Sequence, residues 1–105
     1  MRERYASDLE RVLADYEQVT LLGVSTVGRQ LTIEVAIDRA CGEAFFASLG
    51  AIHGAIAEIQ PDVDKVRIED TSGQRITVDM SKLIAHYRGQ TTFREFRDTW
   101  EIINP

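Results

Sequence analysis

Three side chains in this sequence of 105 residues can act as nucleophile, proton shuttle or soft metal ligand near neutral pH: Cys41, His53 and His86. Cys41 precedes the expected start of a long helix, where exposed amides and the helix field can lower a thiol pKa. It has no second cysteine at C-x-x-C spacing, and neither histidine is near enough in sequence to imply a dyad. A lone cysteine of this kind reads first as a small packing residue. His53 follows twelve residues later, roughly 18 Å along a continuous helix, so the two do not share a ligand by helix geometry. His86 reaches either only through tertiary folding, and the spacing lacks the paired pattern of a structural zinc site. All three therefore stand as reactive residues without a motif, and no catalytic, cofactor-binding or metal site is assigned.

The carboxylates are numerous, notably Asp62/Asp64, Glu69/Asp70 and Asp79. Glycosidase chemistry needs two carboxyls held about 5 to 9 Å apart, and a two-metal site needs several converging on its ions. Glu69 and Asp79 fall on the outward period of expected strands beside Arg67 and Arg75, where solvation and charge pairing account for them. Gly50 and Gly54 form G-x-x-x-G, but inside a helical pattern. That lacks the strand-to-helix loop of a phosphate-binding fingerprint and reads instead as a site of close packing.

The elements that must position these residues are clearer than the chemistry. Phe45, Leu49, Ile52, Ile56 and Ile59 recur at spacings of four, three, four and three, which predicts one helix over Gly42 to Ile59 with a stripe broad enough to cover a sheet. Pro61 ends it, and Asp38 is a possible cap. Tyr5, Leu9, Val12, Leu13 and Tyr16 predict a first helix at about residues 3 to 17. Leu31, Ile33, Val35 and Ile37 alternate with Thr32, Glu34 and Ala36 as a half-buried strand. The preceding Val19 to Ser25 pairs with it through a turn at Gly28, with a bulge at Gly23. Val66 and Ile68, then Ile76, Val78 and Met80, repeat the two-residue period around Asp70 to Gln74, a second hairpin.

Ser81 is expected to cap a short helix that stops at Gly89. Thr92 and Glu95 have capping-box spacing ahead of a final helix from about Phe93 to Ile102. The fold class that follows is α+β: a two-layer sandwich with a four-stranded, mainly antiparallel sheet and element order α-β-β-α-β-β-α-α, in one compact domain over residues 1–105. GRQLTIEV at Gly28 and GQRITVDM at Gly73 also resemble each other, which raises a hairpin-helix duplication over about 19–59 and 63–102.

Composition bounds the role. The formal net charge is −5 and 44% of residues are hydrophobic, the profile of a folded acidic protein. Such a charge disfavours nonspecific nucleic-acid or anionic-membrane binding. No apolar run approaches the roughly 20 residues that span a bilayer, and the opening residues do not read as a leader. With a single cysteine no intrachain disulfide can form, and a cytoplasmic location is expected.

The functional expectation is a noncatalytic protein-interaction or regulatory module that homodimerises, or binds a protein partner, through its helices. The interaction surface is expected at Gly50, Gly54, Arg94, Phe96, Arg97 and Trp100, since aromatics and arginines concentrate binding energy at interfaces. The alternative is a small-ligand or enzymatic pocket between sheet and central helix, using Cys41, His53 or His86. No cofactor is expected, and no particular ligand, reaction or partner follows from the sequence.

Overall fold

Alternating apolar residues need a covered face, and the structure, a computed structural model describing residues 5–37 and 42–104, with the side chains of 42–46 excepted, shows how the strands β2, β3 and β4 obtain one. Helix α1 (Ala6–Leu13) leads into β1 (Val19–Val27) and β2 (Gln30–Ile37). Helix α2 (Gly42–Ile59) crosses to β3 (Lys65–Asp70) and β4 (Arg75–Asp79). Helices α3 (Met80–Tyr87) and α4 (Phe93–Asp98) and a last strand β5 (Glu101–Ile103) complete the chain.

The strands form one sheet in sequential order β1-β2-β3-β4-β5. β2 and β3 run parallel because α2 lies between them, and the other three pairings are antiparallel. Leu31, Ile33 and Val35 on β2, Val66 and Ile68 on β3, and Ile76 and Val78 on β4 are buried, as the alternation predicts. They join Leu9 and Leu13 of α1, Leu49, Ile52 and Ile56 of α2, Leu83 of α3 and Phe96 of α4 in one core. The opposite face carries Thr32, Glu34, Arg67, Glu69 and Arg75.

Several expectations need correction. The sheet has five strands, not four, and the element order is α-β-β-α-β-β-α-α-β. The expected final helix over 93–102 stops at Asp98: the Thr99 hydroxyl donates to the Phe96 carbonyl at 2.7 Å, and the Thr99 and Trp100 amides close the last turn. The following Ile102 and Ile103 pair with Ile76 and Arg75, covering most of the edge that β4 would otherwise leave open. The first helix ends at Leu13, not near residue 17, because tight turns from Tyr16 and Val19 redirect the chain into β1. Ser81 does not cap α3. Asp79 is the extended N-cap residue, without a side-chain cap bond, and the Met80 amide donates to Asp64 O at 2.8 Å instead.

Other local readings hold. The β1 register shifts between Leu21 and Gly23, a bulge that leaves Leu22 unpaired. Gly28 has φ +59 at the first central position of the two-residue loop, which favours glycine. The Thr92/Glu95 capping box is complete, with bonds of 3.2 and 3.0 Å. Asp38 and Cys41 lie outside the described residues, and the Phe45 side chain is not described.

Candidate functional site

The histidines are brought together by three helices, but not into a reactive pair. His53, on the buried side of α2, is 1% exposed, and its ring lies 5.4 Å from Phe96 and 5.3 Å from Trp100. Among the described residues Nε2 has no hydrogen-bond partner. Burial, with a smaller contribution from the charge of His86, lowers its pKa to about 4, so the ring is neutral at pH 7. His86, near the end of α3, stacks on Phe96 with centroids 4.6 Å apart and planes 8° apart. Its Nδ1 is 3.2 Å from the Thr91 carbonyl oxygen. A carbonyl only accepts, so Nδ1 carries the proton.

The Phe96 ring contacts both imidazoles and is itself 2% exposed. Among the described residues no group of three or more His, Cys, Asp or Glu is placed to hold a metal ion. Cys41, the third reactive residue of the sequence, lies outside them. Where α2 meets the sheet at Ile37, Leu49, Ile68 and Ile76, the packing is too tight for a water.

The G-x-x-x-G face of α2 is where α3 lands. The Tyr87 hydroxyl donates to the Gly50 carbonyl at 3.0 Å, and a Cβ on Gly54 would meet the Tyr87 ring at 3.7 Å, an ordinary contact. A Cβ on Gly50 would meet nothing within 4 Å. Tyr87 is nevertheless 42% exposed, and Phe93, at the start of α4, is 49% exposed. Both rings flank His86, at 5.1 and 6.2 Å. Tyr16, 40% exposed, is near enough that burial and its charge together raise the Tyr87 pKa. Half-exposed Tyr87 thus borders the turn of α2 at Gly50, with Phe93 beside His86.

Of the six positions expected to form an interaction surface, Phe96 is core and Trp100 is half-buried against it. Gly54 lies beneath Tyr87, while Gly50, Arg94 and Arg97 reach the surface. Tyr87 and Phe93 are not among the six expected surface positions, although Phe93 belongs with Phe96 and Trp100 to the C-terminal aromatic set. Periodicity marks an apolar face without showing how much of it a neighbour covers.

Asp62, Asp64 and Glu69 are engaged as charge partners. Arg29 reaches Asp62 at 3.0 Å and Asp64 at 3.3 Å, and hydrogen bonds and charge from both raise its pKa. Glu69 meets Arg75 at 3.6 Å and Arg67 at 3.9 Å, and Arg67 Nε donates to Thr77 at 3.1 Å. A groove of about 610 Å³ lies beside the start of α3, with an apolar floor of Val63, Met80 and Ile84 and a rim of Lys65, Asp79 and Arg88. No helix among the described residues is long and apolar enough to cross a membrane. In comparisons with protein-family models, characterised proteins and solved structures, the chain has no significant match.

Proposed function

We propose that the protein is a noncatalytic interaction or regulatory module that associates through its helical layer, with a second copy of the chain as the first partner. The observation that carries the reading is the exposure of Tyr87, whose hydroxyl reaches Gly50, and of Phe93, beside His86: they stay 42 and 49% exposed next to a glycine turn that has room for a side chain and has none. Glycine there weakens α2 by about 1 kcal/mol relative to alanine, and no contact among the described residues demands it. A close crossing of two copies at that turn supplies a reason.

Charge does not select a second copy here: residues 80–97 contain Lys82, Arg88, Arg94 and Arg97 against one acid, Glu95, so two copies meeting there face like charges and the contact rests on the aromatics. The reading places the protein in the cytoplasm, where its lone cysteine stays reduced. The competing reading, a ligand or enzyme pocket between sheet and α2, is disfavoured by the tight packing at Leu49 and by the aromatic burial of His53. A nucleic-acid role is disfavoured by the engagement of Arg67 and Arg75 with Glu69 and Thr77.

Sedimentation of the wild type and of Gly50→Arg across micromolar concentrations tests the proposal. A dimer that becomes a folded monomer in the variant supports it, and a wild type that is monomeric throughout removes it.

A further inference from the structure

Strand β1 is the longest in the sheet, nine residues, and among the described residues has a neighbour on one side only, β2. Free edges of natural sheets are commonly blunted by lysine, proline, inward-pointing charge or brevity. The other edge strand, β5, is short, three residues with Glu101 among them. β1, VTLLGVSTV, has no charge and no proline, and its one protective device is the bulge at Leu22.

Beside the part of this edge that precedes the bulge lies a groove of about 320 Å³ between β1 and α1. Three consecutive strand residues, Val19, Thr20 and Leu21, line one wall, and Glu10, Leu13 and Ala14 of α1 line the other. Consecutive residues alternate between the faces of a strand, so a groove lined by all three lies along its edge rather than on either face. That is the arrangement in which an added strand takes main-chain hydrogen bonds from one wall and sets alternate side chains against the other.

The charged residues described at the groove and its turn are mostly acidic: from Val12 to Gly28 the chain contains no lysine or arginine, Asp15 and Glu17 occupy the turn between α1 and β1, and Arg11, next to Glu10, is paired with Asp8 at 3.5 Å. Glu10 is on the groove wall, and beyond the bulge the Glu34 carboxylate oxygen lies 3.6 Å from where a Cβ on Gly23 would be. A second copy pairing through β1 would bring this acidic rim against its own image, whereas a basic strand would be drawn to it.

The geometry points to the groove between α1 and β1 as a strand-addition site for an extended segment of a protein partner that alternates lysine or arginine with small apolar residues. The groove lining includes neither Gly50, Tyr87 nor Phe93, so Gly50→Arg, which abolishes the proposed self-association, leaves it intact and separates the two ideas.

The test uses the full chain and short fluorescein-labelled peptides: one alternating lysine with valine, one alternating glutamate with valine, and a backbone N-methylated form of the first. The expected result is binding of the lysine peptide alone, with added protection of the amides of residues 19–27 from hydrogen exchange. Asp15→Lys/Glu17→Lys, both at exposed positions, should weaken it about tenfold, equivalent to about 1.4 kcal/mol, without lowering the urea midpoint. Gly50→Arg should bind as the wild type does. Equal binding of the glutamate or N-methylated peptide, no binding of the lysine peptide, or protection elsewhere overturns the proposal. So does concentration-dependent protection of 19–27 in the protein alone, which would assign the edge to a second copy.

Discussion

The Tyr87 hydroxyl donates to the Gly50 carbonyl at 3.0 Å, so the end of α3 is fastened across the glycine face of α2 by a main-chain acceptor that no substitution at position 50 removes. An added methyl at Gly50 meets open space, and one at Gly54 meets the Tyr87 ring at 3.7 Å. Gly50→Ala and Gly54→Ala should therefore each stabilise the folded monomer by about 1 kcal/mol. Tyr87→Phe should lose about 0.5 to 1 kcal/mol. Urea denaturation checks all three, and a destabilised Gly50→Ala would show that something closer than the chain's own atoms covers that turn.

His53 makes stability depend on pH with a definite sign. Its pKa is about 4 in the folded protein and near 6.5 in the unfolded chain, so between these values the unfolded state binds more protons. Stability from this residue is fully present above about pH 6.5 and is lost as pH falls toward 4, by roughly 3 kcal/mol across the window. His53→Phe, which also removes the unpartnered Nε2, should flatten that part of the profile. Urea midpoints from pH 7 to pH 4 measure it, and parallel curves for the two proteins would show that the ring is accessible to protons when folded.

The end of α2 carries a different cost. Gln60 has φ +51, in the left-handed region, while its amide still donates to Ile56 O at 2.8 Å. A residue with a Cβ pays about 1 kcal/mol or more there, and glycine does not. Gln60→Gly should gain about 0.5 to 1 kcal/mol after the greater freedom of the unfolded chain is subtracted. Thermal unfolding would show this as a small rise in the midpoint, and a fall would mean that the Gln60 side chain has a contact worth more than its backbone strain.

The capping box of α4 shows what local sequence can and cannot disclose. Thr92 and Glu95 were readable because the motif is defined by spacing three residues apart, and both of its bonds form. Thr92→Ala should cost about 1 kcal/mol in denaturant, concentrated in amide exchange of residues 93–98. Phe93, Phe96, Trp100 and Ile103 also fit a helix by interval, yet Ile103 is in a strand. Its partner is Arg75, twenty-eight positions away, and no local pattern reports that pairing. The clamp of Arg29 on Asp62 and Asp64 was hidden for the same reason, since it depends on β2 lying parallel to β3. The buried Leu49, Ile52 and Ile56 of α2 and the two hairpins needed no such knowledge and emerged as expected.

Phe93 and Phe96 separate the core from the proposed interface. The rings begin one turn apart on α4, but Phe96 is 2% exposed between two histidines and Phe93 is 49% exposed beside one. Phe96→Ala should cost about 3 to 5 kcal/mol, because the cavity it leaves is walled by rings from α2 and α3. Phe93→Glu should change monomer stability by no more than about 0.5 kcal/mol, as expected for a surface position. If the helical layer is the meeting surface, Phe93→Glu also places a charge where the interface must be dry, and dimers should dissociate in sedimentation while the urea midpoint of the monomer is kept. A Phe93→Glu protein that dimerises as the wild type does would move the contact away from α4, leaving the turn at Gly50 to be judged by Gly50→Arg alone.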